Sequence, residues 1–153
     1  MLFRSRTFSA HIMVNLFPRS EILITLHILS QDGSVLSSLV NAATLALVDA
    51  GIPLTSYVVA CSAGMSAPLT DDESPSALID LNALEEGDLP NLTIACAGSQ
   101  EKIALFHMES RVGLSSIETM MATAISGCNQ LRIEKDETIR AHGKDIAALR
   151  LNS

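Results

Sequence analysis

The stretch 32-DGSVLSSLVNAATLALVDAG-51 organises the chain. It reads as one helix, opened by a Gly-Ser turn and closed by a glycine. Val35, Leu39, Ala43, Ala46 and Ala50 recur at helical spacing, and Leu36, Val40 and Leu47 widen the stripe. A face this broad, small and apolar is expected to lie flat on a sheet. Asp32 or Ser34 is available to cap the first turn, whose free N–H groups need an acceptor. Gly51 suits the left-handed position after the last turn, and Pro53 prevents continuation. A glycine turn opening a helix is also a potential phosphate seat, because unpaired N–H groups and the helix dipole face an anion.

The sequences on either side supply the sheet. Upstream, Ile22, Ile24, Leu26 and Ile28 alternate with Glu21, Thr25 and His27, the pattern of a strand with one buried face. His27 is read there as a half-buried strand residue rather than a ligand, since no second ligand shares its side. Downstream, 56-SYVVACSA-63 is a compact β-prone run, and Ala77 to Asn82 is a short strand. Leu92 to Ala97 and Lys102 to Met108 are two more, with Gly98-Ser99-Gln100 as their hairpin. Residues 65–76, rich in Pro, Ser and acid, read as an exposed loop, and 85-EEGD-88 as an acidic turn. A last helix starts at Leu114, with Ser115 or Ser116 as cap and Glu118 in its first turn. Ile117, Met120, Met121, Ala124, Ile125, Cys128 and Leu131 hold its period, after which it turns polar. That tail is expected to be solvated or to lie on a partner. A strand, a helix, several antiparallel strands and a closing helix make an α+β layer pattern. One strand before the first helix is too few for so apolar a helix, so further strands are expected upstream or from another chain.

Composition narrows the function. At 153 residues, 48% of them hydrophobic, the chain can build a core, but with 3% aromatics the core must be aliphatic. The formal charge of −7 makes it a poor stand-alone nucleic-acid binder, since neutralising phosphates takes Lys and Arg. Cys61, Cys96 and Cys128 are odd in number and lack zinc spacing, so they read as buried thiols in a reducing compartment. No apolar run approaches the ~20 residues of a membrane span. Residues 1–20 contain Arg4, Arg6 and Arg19 and no acid, the bias of a presequence. They lack an apolar, arginine-flanked helix, and an ordinary or truncated N-terminus is the preferred reading. The four histidines are scattered, and no GxSxG, P-loop or HExxH motif occurs. No metal site and no cofactor are expected.

The segments 15-NLFPRSEILITLHILSQDGS-34, 38-SLVNAATLALVDAGIPL-54, 58-VVACSAG-64 and 79-IDLNALEE-86, together with the last helix, resemble the RNase PH family. Within it they resemble the RNase-PH-like ring subunits of the eukaryotic RNA exosome. The resemblance runs in unbroken order from about Asn15 to about Arg140. It implies an RNase PH-like fold of the ribosomal protein S5 domain 2 type, a mixed or antiparallel sheet with packed helices, truncated at its N-terminus. Residues 1–14 are then an unmatched segment, 15–54 a remnant of the first phosphorolytic domain and 55–150 the second. The first strands and the arginines that grip RNA belong to a stretch that family members carry ahead of the match.

The family reaction is phosphorolysis, in which inorganic phosphate attacks the last phosphodiester of an RNA 3′ end and releases a nucleoside diphosphate. Such chemistry is mostly positioning and charge stabilisation, so each part of the site counts. Active members resemble one another in a Gly-Gly-Thr-Arg-Thr-like or Gly-Ser-Arg-Ser-like turn, which aligns with Gly33-Ser34-Val35-Leu36-Ser37. The turn and the Ser37 hydroxyl survive, but Leu36 replaces the arginine. The paired carboxylates align with Asp80 and Glu86, the second an Asp in active members. One extra methylene moves that carboxylate by roughly 1 Å, enough to spoil a tuned site. Read without the family, Leu36 is a core residue and Glu86 part of a solvated turn.

The resemblance therefore implies a non-catalytic ring subunit with a vestigial phosphate seat at Gly33, Ser34 and Ser37 and vestigial acids at Asp80 and Glu86. It implies heterodimers with other RNase-PH-like exosome subunits inside a hexameric ring, cap subunits, and RNA threaded through the assembled pore, with no membrane role. It places the chain in nucleus, nucleolus and cytoplasm, in ribosomal RNA maturation and mRNA decay. Two alternatives stand beside it: a phosphate-dependent 3′-5′ exoribonuclease using Asp80, Glu86 and Ser37, and a non-functional fragment of such a subunit.

Overall fold

The computed structural model describes residues 6–66, 76–98 and 102–151. In chain order it contains α1 (Arg6–Ser9), a 3₁₀ turn (Val14–Leu16), α2 (Val35–Asp49), β1 (Val58–Met65), β2 (Ala77–Ile79), α3 (Ala83–Asp88), β3 (Asn91–Ala97), β4 (Lys102–Met108) and α4 (Leu114–Leu151). The strands form one antiparallel sheet in the order β2-β1-β3-β4, as the hairpin reading requires. Residues 99–101 of that hairpin and 67–75 of the expected loop lie outside the described residues. Met65, the first residue of the expected loop, is instead the buried end of β1.

β1 is covered on both faces, which is why its sequence is apolar or small throughout and every one of its residues is buried. Val59, Cys61, Ala63 and Met65 join Leu92, Ile94 and Cys96 under Met120, Ala124 and Cys128 of α4. On the other face Val58, Ala60, Ala95 and Ala97 meet Val40, Ala43 and Leu47 of α2, together with Phe8. Gly127 lets α4 sit close, since a Cβ there would fall 2.6 Å from Cys61 Sγ.

Beyond the short β2, no strand among the described residues pairs with this edge of β1, and side chains of α2 bond its backbone. The Asn41 amide donates to Ala60 O (2.8 Å) and its Oδ1 accepts from Ala60 N (2.9 Å). Thr44 Oγ1 donates to Val58 O at 2.6 Å, and Asp80 N donates to Ser62 O at 3.0 Å. Buried backbone groups need partners, so these polar residues on an otherwise apolar helix are structural. Lys135 of α4 closes the group by donating to Asn41 Oδ1 at 2.7 Å.

Several local expectations are corrected. The buried stripe of α2 runs through Ser37, Val40, Ala43, Thr44 and Leu47, whereas Ala46 and Ala50 are exposed. The helix is rotated so that Asn41 and Thr44 reach β1. Neither Asp32 nor Ser34 caps it: Ser34 is left-handed (φ 49°) and makes no side-chain cap bond. The C-terminal stop behaves as read. Gly51 sits at φ +69°, with Gly51 N on Val48 O and Ile52 N on Leu47 O, a Schellman ending. The acidic turn is a short helix, α3, with Asn82 and Glu85 forming a capping box. β2 ends at Ile79, because Asp80 turns left-handed (φ 59°).

α4 begins without a serine cap or an acid in its first turn; Gly113 O accepts from Ser116 N and Ile117 N. Its polar tail is partly solvated and partly laid on α2, where His142 Nε2 stands 3.1 Å from Asp49 Oδ1. The segment around Ile24 keeps its alternation, with Ile22, Ile24 and Leu26 half-buried against the α2 side of the core. Among the described residues it pairs with no strand, and both His27 and Ile28 are exposed, so the half-buried reading of His27 does not hold.

Candidate functional site

The turn that opens α2 is pressed onto the chain between β2 and α3. Gly33 has φ +84°, and a Cβ there would lie 2.2 Å from Leu81 O and 2.8 Å from Ala83 N. Only glycine permits that approach. Ser34 Oγ donates to Leu81 O (3.1 Å), and Asp32 Oδ1 accepts from Ala83 N (3.4 Å). The fold thus brings the glycine turn beside the acid-bearing segment, although 47 residues separate Ser34 from Leu81 in sequence.

The hydroxyls read as phosphate ligands are engaged inward. Ser34 is 3% exposed and bonded to Leu81, and Ser37 Oγ donates to Ser34 O at 2.8 Å. Leu36 lines a cavity of about 410 Å³ with Val35, Leu39, Glu86, Asn91, Thr93, His107, Glu109 and Ser110. Its titratable groups are two carboxylates and one imidazole, the last 3.5 Å from Glu109 Oε1; among the described residues no lysine or arginine lines it. An anion entering this cavity meets like charge and an aliphatic wall.

Of the two expected acids, one lines the cavity: Glu86 is among its residues, whereas Asp80 is exposed and is not. The Asp80 charge is felt instead by Cys61, on the α4 side of the sheet. There burial first, and Asp80 second, push the thiol up to about 11. Cys128 is pushed up as well, chiefly by its hydrogen bond with Cys96 and then by burial. All three thiols are free and buried, as the sequence suggested. Among the described residues no group of three His, Cys, Asp or Glu could hold a metal ion, and no helix is long and apolar enough to cross a membrane. His107 and Glu109 were not legible as cavity residues: they sit at the end of an edge strand, and only the β3–β4 register sets His107 opposite Thr93.

An antiparallel sheet between two helices, with a glycine turn docked beside an acid-bearing loop, defines an α+β protein of the RNase PH-like fold. The solved structure of rice (Oryza sativa) Rrp46 shares it, with a TM-score of 0.67 over 88% of this chain and 62% of that one at 22% identity. Residues 4–53 match the model of the 3′ exoribonuclease family, domain 1, a match that starts upstream of Asn15. Exosome complex component SKI6 of Saccharomyces cerevisiae is 37% identical over 139 residues, which is 91% of this chain and 54% of that protein. Exosome complex component RRP41 of Homo sapiens is 35% identical over 145 residues, 94% of this chain and 56% of that protein. The chain is thus similar to the 3′ exoribonuclease family through residues 4–53 and to exosome components along more than nine-tenths of its own length. It spans little more than half the length of these relatives.

Proposed function

We propose that the chain is a non-catalytic subunit of an RNA exosome ring. The observation that carries this reading is the cavity beside the glycine turn, where Leu36 stands with Glu86 and Glu109 and, among the described residues, no lysine or arginine. Phosphorolysis needs a charge-assisted clamp on the attacking phosphate, and loss of such donors costs a few kcal/mol in the transition state. The relatives named as exosome components support the assembly. Other RNase-PH-like chains would be its ring neighbours, with cap subunits above them, and would supply the basic path for RNA that a chain of charge −7 lacks. Ribosomal RNA maturation and mRNA decay, in nucleus, nucleolus and cytoplasm, are the corresponding processes and places. The test is incubation of the purified chain with single-stranded RNA and inorganic phosphate. No nucleoside diphosphate is expected. Phosphate-dependent release that disappears in Asp80→Ala would establish an exoribonuclease and overturn the proposal.

A further inference from the structure

Three thiols from three elements meet between the sheet and α4. Cys61 of β1, Cys96 of β3 and Cys128 of α4 share one buried apolar cluster. The register sets Cys61 opposite Ile94 and Val59 opposite Cys96, so Cys61 and Cys96 lie diagonally on the face that α4 covers. Cys128 stands over β3. Its Sγ donates to Ile94 O at 3.6 Å, and it shares a hydrogen bond with the Cys96 thiol. Cys61 Sγ is turned to Ser62 O of its own strand, at 3.5 Å. The β3–β4 ladder slips beside Cys96, which pairs with Ile103 while Ala95 pairs with Leu105. An irregularity of this kind lets a strand re-aim a side chain. The proposed ring function uses none of these thiols.

We propose that Cys96 and Cys128 are a modification site, a dithiol that a small-molecule disulfide oxidises to a bond tying α4 to the interior strand β3. The chemistry is thiol–disulfide exchange. One thiol of the pair, as its thiolate, attacks a sulfur of the incoming disulfide and releases one small thiol. The second then attacks the mixed disulfide and releases the other. The pair gives up two electrons and two protons, and both small thiols leave protonated, so no further oxidant is needed. Both sulfurs are buried, so exchange runs through moments when α4 lifts from the sheet. Orientation selects the pair: Cys128 faces β3 at Ile94 and Cys96, whereas Cys61 is bonded along its own strand. Closure brings the two sulfurs from hydrogen-bond contact to about 2.05 Å. The product suits the layer, because it replaces two buried S–H donors by an apolar bridge.

Equilibration of the full, folded chain with oxidised glutathione, followed by an acid quench and alkylation under denaturing conditions, tests this. Intact mass should fall by about 2 Da before alkylation, the two hydrogens removed, and one thiol should remain to be alkylated. Peptide mapping should join the Cys96 and Cys128 peptides and leave Cys61 as the free thiol. Cys61→Ala should form the same bridge, and the wild-type map decides the matter if that variant fails to fold. In urea the bridge should lower the unfolding equilibrium constant about a hundredfold, and a thiol reductant should reverse the gain. Three free thiols after equilibration, glutathione adducts without a protein disulfide, a bridge that uses Cys61, or a bridge that leaves urea unfolding unchanged would each overturn the proposal. So would a Cys96–Cys128 bridge that forms only in chain already unfolded by urea.

Discussion

Asn41 joins three elements through one carboxamide. It supplies a donor and an acceptor to Ala60 of β1, and its oxygen also accepts from Lys135 of α4. Asn41→Ala strands two backbone groups and an ammonium at once. Each unsatisfied buried group costs about 1–3 kcal/mol, so urea unfolding should show a loss of about 2–4 kcal/mol. Gly33→Ala forces a Cβ onto the Leu81 carbonyl at a left-handed φ, and should cost at least about 2 kcal/mol by the same measurement. Lys135 carries a pH signature. Burial lowers its pKa from 10.5 to about 8. Between those values the unfolded chain binds the extra proton, so this group makes stability rise with pH from about 8 to 10.5, while below 8 its penalty is constant. Unfolding free energies of the wild type and Lys135→Met, compared across that interval, should differ by a pH-dependent amount, because the variant lacks the rise.

At the scale of elements, the amphipathic signals and the turn chemistry were legible, and the polar exceptions were not. The α2 span, the Gly51 stop, the antiparallel run and α4 follow from periodicity and breakers. The rotation of α2 does not, because Asn41 and Thr44 look like surface residues until the open edge of β1 is seen beside them. The capping box of α3 was written in the sequence as Asn82-x-x-Glu85 and was hidden by the acidity of the turn. Of the site, the meeting of the Gly33 turn with the segment after Asp80 was legible, since family order places them together. The arrival of His107 and Glu109 at the cavity depends on strand register, which spacing does not encode. α4 divides in the same terms. Its first half buries Met120, Ala124 and Cys128, whereas beyond Lys135 few side chains are covered. Hydrogen exchange should therefore find amides of residues 118–132 protected far longer than those of 140–151.

For the whole molecule, the proposed non-catalytic role rests on a glycine turn docked beside an acid-bearing loop, with no lysine or arginine lining the adjoining cavity among the described residues. The turn, the helix and the acid-bearing loop are held together by Gly33, Asp32 and Ser34, whose polar groups bond the neighbouring chain. The cavity beside them is walled by Leu36 and two carboxylates. Geometry of this kind suits a subunit that lends shape to an assembly. Isothermal titration of inorganic phosphate into the chain, beside the Leu36→Arg variant, tests that reading most directly. The expected result is no saturable binding to the wild type up to about 10 mM phosphate, a concentration at which a site of millimolar Kd, worth about −4 kcal/mol, would be filled. Submillimolar binding to the wild type, abolished by Gly33→Ala, would contradict it.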